Sequence, residues 1–265
     1  MTTDLAAEDP LALQHIRILG TRIHMVQIPD VVALLMQWVA DRRVQPHWVV
    51  VADMHAVIEA YKRPGFRAQI ETADLTVPDG ISLVKVARRK GVPLKRRVAG
   101  TDLMHAFFAA SQTQGLKHFF FGDTDETLVC LREKLTHAYP AMVVADCYSP
   151  PFRPATPEED EEMIRRINEA RPDVLWVGLG LPKQEQWIYE HRSRLNVPVV
   201  LGVGAAFKFL AGTVRRAPGW LGDLGLEWLW RLAHEPRRLW RRVMIEGPQF
   251  VGHVALELSG LRRYS

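Results

Sequence analysis

The sequence predicts an α/β protein with a Rossmann-like, mostly parallel sheet flanked by helices, followed by a small helical C-terminal appendage. Three observations support this. From about residue 47 to residue 204, short apolar runs alternate with amphipathic stretches, which is the rhythm of βαβ units. Glycines follow several of these runs, as is common where a parallel strand turns into a helix. Beyond residue 213 the alternation stops, and arginine and tryptophan become frequent.

Six apolar runs predict the strands of this sheet. They are near-continuously hydrophobic, as expected for parallel strands that are buried on both faces. Before them, two short strands around Gly20-Thr21 predict a hairpin over residues 16–26. The predicted sheet strands are residues 47–52, 73–78, 117–121, 141–147, 173–177 and 197–203.

Helical periodicity fills the intervals between the strands. Pro64-Gly65 separates two short helices. A later helix begins at Thr156-Pro157, with a capping threonine, a proline in the first turn and acidic residues behind it. In the first helix one apolar stripe contains Val31, Leu34, Leu35, Trp38 and Val39. The predicted helices are residues 30–42, 54–61, 66–70, 81–90, 102–114, 127–139, 157–170, 183–195 and 205–210.

The chain length of 265 residues suits one large α/β domain with a small addition. We expect a flexible N-terminal arm at residues 1–13, an α/β domain at 14–212, and a helical appendage rich in arginine and tryptophan at 213–265. The first residues lack the basic and apolar regions of a signal peptide. No apolar run approaches the roughly 18 to 20 residues that span a bilayer, so we expect any membrane contact to be peripheral.

Composition excludes several classes of site. The two cysteines, Cys130 and Cys147, form neither a disulfide framework nor a Cys/His metal spacing, and a reducing cytoplasm is the expected compartment. HExxH and GxSxG motifs are also absent. We therefore predict no zinc site and no bound cofactor. The net charge of +4 permits an anionic partner without identifying it.

An aspartate at a strand-to-helix junction is the first candidate for chemistry. Residues 73–80 read Ala-Asp-Leu-Thr-Val-Pro-Asp-Gly, and a helical pattern begins at Ile81. Asp79 would then lie in the crevice beyond the strand ends, where α/β proteins bind their ligands. There its carboxylate could accept a proton from a substrate hydroxyl. The alternative is that Asp79 only caps the following helix.

Two glycine-rich loops are candidates for binding a diphosphate. Residues 177–185 and 201–207 each follow a strand and precede a helix, where backbone N–H groups favour anions. Neither fits a P-loop or a dinucleotide fingerprint, and close packing of strand on helix would also explain the glycines. The polar cluster Lys183-Gln184-Glu185 favours a functional role for the first loop.

Asp123-Thr124-Asp125 matches the DxD pattern that binds a divalent ion in many sugar-nucleotide transferases. The same residues also form an ordinary helix start, which we prefer.

The C-terminal region combines cationic and aromatic residues. If the helix is continuous, Arg231, Arg238 and Arg241 lie on one side of it. The nearby tryptophans are Trp220, Trp228, Trp230 and Trp240. Three interpretations remain open: a solvated charged face, a nucleic-acid patch, and a helix at an anionic membrane surface. Interleaved tryptophan and leucine favour the membrane, and arginine also suits a lipid diphosphate.

Taken together, these segments resemble the WecG/TagA/CpsF glycosyltransferases over roughly residues 16 to 245. Six segments in the same order carry the resemblance. They are residues 73–80, 97–102, 178–185, 202–207 and 211–218, and residues 226–231 leading to 235–238.

The resemblance implies metal-independent, inverting transfer of a sugar from a UDP-sugar onto a sugar carried by a polyprenyl diphosphate. It implies Asp79 as the general base and a site lined by Arg97 and Gln184. It assigns Arg231, Arg238 and Arg241 to an appendage that closes the site at the membrane, and it leaves room for a homo-oligomer. The residues expected to bind substrate are Asp53, Arg97, Thr101, Lys183, Gln184, Glu185 and Gly204.

One position departs from the family pattern. Where the family often has Thr-x-Asn, this chain has Val51-Ala52-Asp53. The departure favours a hexose donor such as UDP-glucose and a role in bacterial surface or exopolysaccharide synthesis. An N-acetylmannosaminyltransferase of the teichoic-acid or enterobacterial-antigen type is the alternative. Asp53 would bind sugar hydroxyls or compete with Asp79 as the base.

Two other classes of protein stay open at this point. A dehydrogenase would require a nucleotide fingerprint that the sequence lacks. A nucleic-acid-binding module that uses the basic tail would bind with a steep salt dependence, but no known module is recognisable. We therefore expect a peripheral enzyme on the inner face of the cell membrane, with no nucleic-acid partner.

Overall fold

The computed structural model describes residues 13–41, 43–218, 221 and 226–264, and for Arg238 only the backbone. The strands are β1 (His15–Ile18), β2 (Thr21–His24), β3 (His47–Ala52), β4 (Leu75–Pro78), β5 (Lys117–Gly122), β6 (Val143–Tyr148), β7 (Val174–Gly178) and β8 (Val199–Gly202). Within the described residues, β3 to β8 form one parallel sheet in the order β4-β3-β8-β7-β5-β6. The predicted α/β fold with a mostly parallel sheet is therefore confirmed.

Helices connect the strands and cover both faces of the sheet. Before the C-terminal region they are α1 (Ile28–Asp41), α2 (Met54–Lys62), α3 (Pro64–Ile70), α4 (Ile81–Arg89), α5 (Gly100–Ser111), α6 (Asp125–Ala138), α7 (Pro157–Ala170), α8 (Lys183–His191) and α9 (Ala206–Ala211). In the C-terminal region they are α10 (Glu227–His234), α11 (Pro236–Arg241), a π-helical turn (Arg242–Glu246) and α12 (Gly247–Leu258).

The central strands are buried on both faces because their side chains alternate between two apolar clusters. In β3, Trp48 and Val50 belong to one cluster, and Val49 and Val51 belong to the other. All six residues of β3 are buried, as expected for an inner strand of a parallel sheet. This arrangement fixes the register in which β3 and β4 end together, with Ala52 beside Pro78.

Several local predictions are confirmed with their physical causes. The hairpin pairs Ile18 with Thr21, so its turn is Leu19-Gly20, one residue earlier than the predicted Gly20-Thr21. Both turn residues adopt positive φ, as a tight two-residue turn requires. Thr156 accepts a hydrogen bond from the Glu159 N–H, and the Glu159 side chain binds back to the Thr156 N–H. This is a complete capping box.

The C-terminal region packs against the α/β core. Phe250 and Val254 of α12 are buried within the same apolar cluster as Trp48 and Val50 of β3. Among the described residues, none of the helices is both long and apolar enough to cross a bilayer. The division into residues 1–13, 14–212 and 213–265 stays a prediction. Apart from Leu13, the predicted arm lies outside the described residues, as does Trp220.

Candidate active site

A cavity of about 1250 Å³ opens at the carboxyl ends of β4, β3, β8 and β7. These four strands are neighbours in the sheet, so the segments that follow them meet at one edge. The C-terminal region covers this edge and contributes residues of α10, α11 and α12 to the cavity wall. The crevice predicted from the strand-to-helix junctions is therefore present.

Asp79 follows β4 and lines this cavity, with its side chain half-buried. The N-cap of α4 is Gly80, and no side chain among the described residues makes a capping bond there. The structure thus gives Asp79 no capping role. Burial raises the pKa of the Asp79 carboxyl from its ordinary value near 3.8 to about 6, because a charged group loses hydration there.

Charged side chains of the Arg97 loop and of the C-terminal region affect the pKa of Asp79. The Arg97 guanidinium opposes the burial effect and lowers the Asp79 pKa, whereas the Glu227 carboxylate raises it and Arg231 lowers it. Arg97 and Glu227 form an ion pair of 2.5 Å. The Val98 N–H donates to the Pro78 carbonyl at 2.7 Å, which fixes the Arg97 loop beside the end of β4.

Asp53 lines the same cavity, but both of its carboxylate oxygens have protein partners. Oδ1 accepts from the N–H groups of His55 at 2.8 Å and Ala56 at 3.1 Å, which caps α2. Oδ2 pairs with Arg242 from the π-helical turn. Asp53 thus has the capping role that the sequence suggested for Asp79, and its expected part in binding sugar hydroxyls or as a base stays a prediction.

Gln184 joins the two glycine-rich loops. Its Oε1 accepts from the Gly180 N–H at 3.1 Å and from the Gly204 N–H at 2.9 Å. Its Nε2 donates to Glu185 Oε1 at 2.8 Å. The packing is close: a Cβ on Gly202 would lie 2.7 Å from Gln184 Nε2. Gln184 and Gly204 line the cavity as predicted, but the amides of Gly180 and Gly204 are not open to a diphosphate.

Lys183 and Glu185 are not among the residues that line the cavity. The Lys183 side chain is exposed to solvent. Glu185 is fully buried, and its Oε2 has no hydrogen-bond partner among the described residues. Burial raises the pKa of the Glu185 carboxyl from near 4.5 to about 7. The sequence cluster thus divides into Gln184 on the cavity wall, Glu185 behind it, and Lys183 outside.

Helix N-termini give the cavity a positive character. The first residues of α2, α4 and α5 line it, together with the loop before α8, and each N-terminus carries a partial positive charge. Thr101 lies in the first turn of α5, is buried, and lines the cavity as predicted. This environment suits the negative charge of a nucleoside diphosphate.

Of the three predicted appendage arginines, Arg231 and Arg241 line the cavity. The Arg231 guanidinium lies over the Phe209 ring at 5.6 Å. Arg238 belongs to α11, but its side chain lies outside the described residues.

Sequence reasoning missed eight charged residues of this wall: Glu59, Lys62, Lys85, Arg89, Arg216, Glu227, Arg242 and Glu246. Arg216 pairs with Asp102 of α5, and its two terminal nitrogens, Nη1 and Nη2, donate one to each carboxylate oxygen. Arg216 and Glu227 lie inside segments that carry the family resemblance, which was the one sequence signal that could have pointed to them. Their partners lie 114 and 130 residues away in the chain, and no local pattern indicates such pairs.

One group of three side chains among the described residues could hold a metal ion. His55, Glu59 and Glu246 have potential ligand atoms within 4.8 Å of one another. His55 Nδ1 lies 2.6 Å from Glu246 Oε2, and Lys62 lies 3.8 Å from the other oxygen. The DxD segment is instead a helix start, since Thr124 caps α6 by accepting from the Thr127 N–H.

Comparison with known proteins agrees with this geometry. The profile of the glycosyl transferase WecG/TagA/CpsF family matches residues 16–264. An N-acetylglucosaminyldiphosphoundecaprenol N-acetyl-beta-D-mannosaminyltransferase of Bacillus spizizenii is 31% identical over 204 residues, 77% of each chain. A protein of the same name from Staphylococcus aureus is 29% identical over 224 residues, 84% of this chain and 86% of its own. This chain is a glycosyltransferase and belongs to the WecG/TagA/CpsF family.

Proposed function

We propose that this glycosyltransferase moves N-acetylmannosamine from its UDP-sugar onto a sugar carried by a polyprenyl diphosphate, with inversion and without a metal. The observation that carries the proposal is Asp79, a half-buried carboxylate on the wall of a cavity that collects helix N-termini and arginines. The names of the relatives from Bacillus spizizenii and Staphylococcus aureus support both the transferred group and the class of acceptor.

The proposed reaction is a single displacement. The acceptor hydroxyl attacks the anomeric carbon while Asp79 takes its proton, and the bond from that carbon to the UDP oxygen breaks. The UDP leaves with the additional negative charge. Arg97, Arg231 and the N-termini of α4 and α5 line the same cavity as Asp79, and we expect them to stabilise that charge.

The expected donor changes from UDP-glucose to UDP-N-acetylmannosamine for two reasons. The named relatives transfer N-acetylmannosamine. The preference for glucose depended on Asp53, and both oxygens of that side chain are engaged by α2 and Arg242. A role in exopolysaccharide synthesis loses its support with it.

We also propose that the protein works at the cytoplasmic face of a membrane. Among the described residues, most of the exposed large apolar side chains belong to the C-terminal region. We define the membrane patch as five of them: Trp228, Leu229, Trp240, Met244 and Ile245. Arg237 and Arg241 are exposed beside Trp240, and such a mixture suits an anionic lipid surface.

A release assay tests the function. The full chain is incubated with UDP-N-acetylmannosamine, UDP-glucose or UDP-N-acetylglucosamine, a synthetic lipid-diphosphate-linked N-acetylglucosamine, and EDTA. We expect UDP release with the first donor only, dependent on the acceptor and unaffected by EDTA. Release with UDP-glucose alone would restore the first expectation, and loss of activity in EDTA would refute the metal-independent mechanism.

A further inference from the structure

The cavity that contains Asp79 is also lined by one face of α4 and one face of α12. The α4 face consists of Ser82, Lys85, Val86 and Arg89. The α12 face consists of Val251, Val254, Ala255 and Leu258. Spacings of three and four residues put each set on one side of its helix. We call the space between these two faces the α4/α12 groove.

Ion pairs at both ends fix the direction of the groove. At the N-terminal side of α12, Arg242 pairs with Asp53, and Glu246 lies against His55. At the C-terminal side, Glu257 pairs with Lys90 at 3.1 Å and accepts from the Leu19 N–H at 3.3 Å. The two helices therefore run in the same direction, from the active-site end toward the Lys90–Glu257 pair. Burial of Phe250 and Val254 in the core makes α12 a fixed wall.

The two faces differ in chemistry. Lys85 and Arg89 are exposed, and neither has an ion-pair partner among the described residues, although they are one helical turn apart and repel each other. Arg97, Arg216 and Arg242, on the same cavity, each have an acidic partner. On the α12 face, Val251 is 65% exposed and Leu258 is 38% exposed. The groove thus offers two available cations on its α4 wall and uncovered hydrocarbon on its α12 wall.

Distance along α4 relates this groove to the reaction. The helix begins directly after Asp79-Gly80. At a rise of about 1.5 Å per residue, Lys85 lies about 6 Å and Arg89 about 12 Å along the axis from Ile81. In the proposed acceptor, one sugar ring separates the reacting hydroxyl from the diphosphate. With that hydroxyl at Asp79, the diphosphate reaches Lys85 and the hydrocarbon chain continues past Arg89.

We infer that the α4/α12 groove binds the diphosphate and the first isoprenoid units of the lipid-linked acceptor, the anion on Lys85 and Arg89 and the chain on Val251, Ala255 and Leu258. The inference rests on the proposed function and extends it to residues outside the predicted arginine set. An anionic phospholipid headgroup has similar chemistry, and the test below separates the two.

Binding of farnesyl diphosphate and of inorganic diphosphate to the full chain, measured by calorimetry in the absence of membranes, tests the groove. The variants are Lys85→Glu, Arg89→Glu and Leu258→Asp. Leu256→Asp is a matched control, because Leu256 is also 38% exposed on α12 but does not line the cavity. Lys134→Glu, an exposed lysine of α6 away from the cavity, controls for net charge.

We expect each groove variant to raise the Kd for farnesyl diphosphate about tenfold or more, because each removes one favourable contact with the ligand. Leu258→Asp should affect farnesyl diphosphate more than inorganic diphosphate, and both controls should bind as the wild type does. Unchanged affinity in the groove variants would overturn the inference. So would variants that weaken binding to phosphatidylglycerol vesicles while farnesyl diphosphate binding stays intact. Because this assay needs neither donor nor transfer, a failed release assay beside a positive result here would refute the proposed function alone.

Discussion

Arg97 and Glu227 form a 2.5 Å ion pair that connects the loop beside Asp79 to the first turn of α10. The two residues have opposite effects on Asp79: the guanidinium lowers the pKa of its carboxyl and the carboxylate raises it. The C-terminal region therefore covers the cavity and also takes part in setting the proton affinity of the candidate base.

Substitution of Arg97 and substitution of Glu227 should shift the pH dependence of turnover in opposite directions. Asp79 must be ionised to accept a proton, so kcat/KM should rise with pH through an acid limb near pH 6. Arg97→Met removes a cation that favours the ionised form and should move this limb to higher pH. Glu227→Gln removes an anion and should move it to lower pH. Shifts in the same direction for both variants would contradict the assignment.

Asp79→Asn should abolish most of the turnover while preserving the fold. Loss of a proton acceptor lowers the rate roughly 100-fold to 10,000-fold, and asparagine has nearly the same shape. Stopped assays with the preferred donor give kcat, while calorimetry with UDP and thermal unfolding serve as controls. A variant with near-normal kcat would exclude Asp79 as the base.

We expect Asp53 to stabilise the fold and not to bind the sugar directly. Asp53→Asn retains an oxygen that can cap α2 but loses the charge that pairs with Arg242. Asp53→Ala loses both, and we expect it to be less stable than the asparagine variant by about 0.5 to 2 kcal/mol. Urea unfolding of both variants measures the difference. Equal stability of the two, with a large rise in KM for the donor, would instead indicate direct sugar binding.

Glu185 should make the protein less stable as the pH rises. Its pKa is about 7 in the folded state and near 4.5 ordinarily, so the folded state binds the proton more tightly. The stabilisation is complete below about pH 4.5 and is lost as the pH rises through 7.

Glu185→Gln keeps an acceptor for Gln184 Nε2 and should reduce the fall in Tm between pH 5 and pH 8. Glu185→Leu leaves that nitrogen without a partner and should unfold more easily at every pH, by about 1 to 3 kcal/mol. Identical Tm profiles for the wild type and Glu185→Gln would show that this carboxyl does not titrate in the range.

The membrane patch should determine binding to anionic vesicles. Trp240→Ser and Leu229→Ser remove side chains that are 48% and 50% exposed, so the fold should tolerate them. We expect each to reduce cosedimentation with phosphatidylglycerol vesicles several-fold, while Phe152→Ser, at an exposed site outside the C-terminal region, should leave it unchanged. Equal loss in all three variants would refute a specific membrane patch.

The sequence by itself determined the sheet, most helix starts and the position of Asp79. These features depend on local information: apolar runs, turn residues and caps within a few positions of each other. The Thr156 cap with Glu159 and the hairpin near Gly20 are examples, because the bonds that define them span about three residues. The glycine-rich loops at the strand ends were also predicted from the sequence, because glycine is common where a strand turns tightly into a helix.

Only the tertiary structure decided which polar groups are already satisfied. Both carboxylate oxygens of Asp53 have partners, and one partner is Arg242, 189 residues away in the chain. The side-chain amide of Gln184 binds the backbone of Gly204, 20 residues away, and so joins two loops. Glu185, adjacent to Gln184 in sequence, is buried behind the cavity. Such pairings depend on which strands end beside one another and on how the C-terminal helices pack. A residue's type shows which hydrogen bonds it can make, and the fold decides whether a neighbour has already made them.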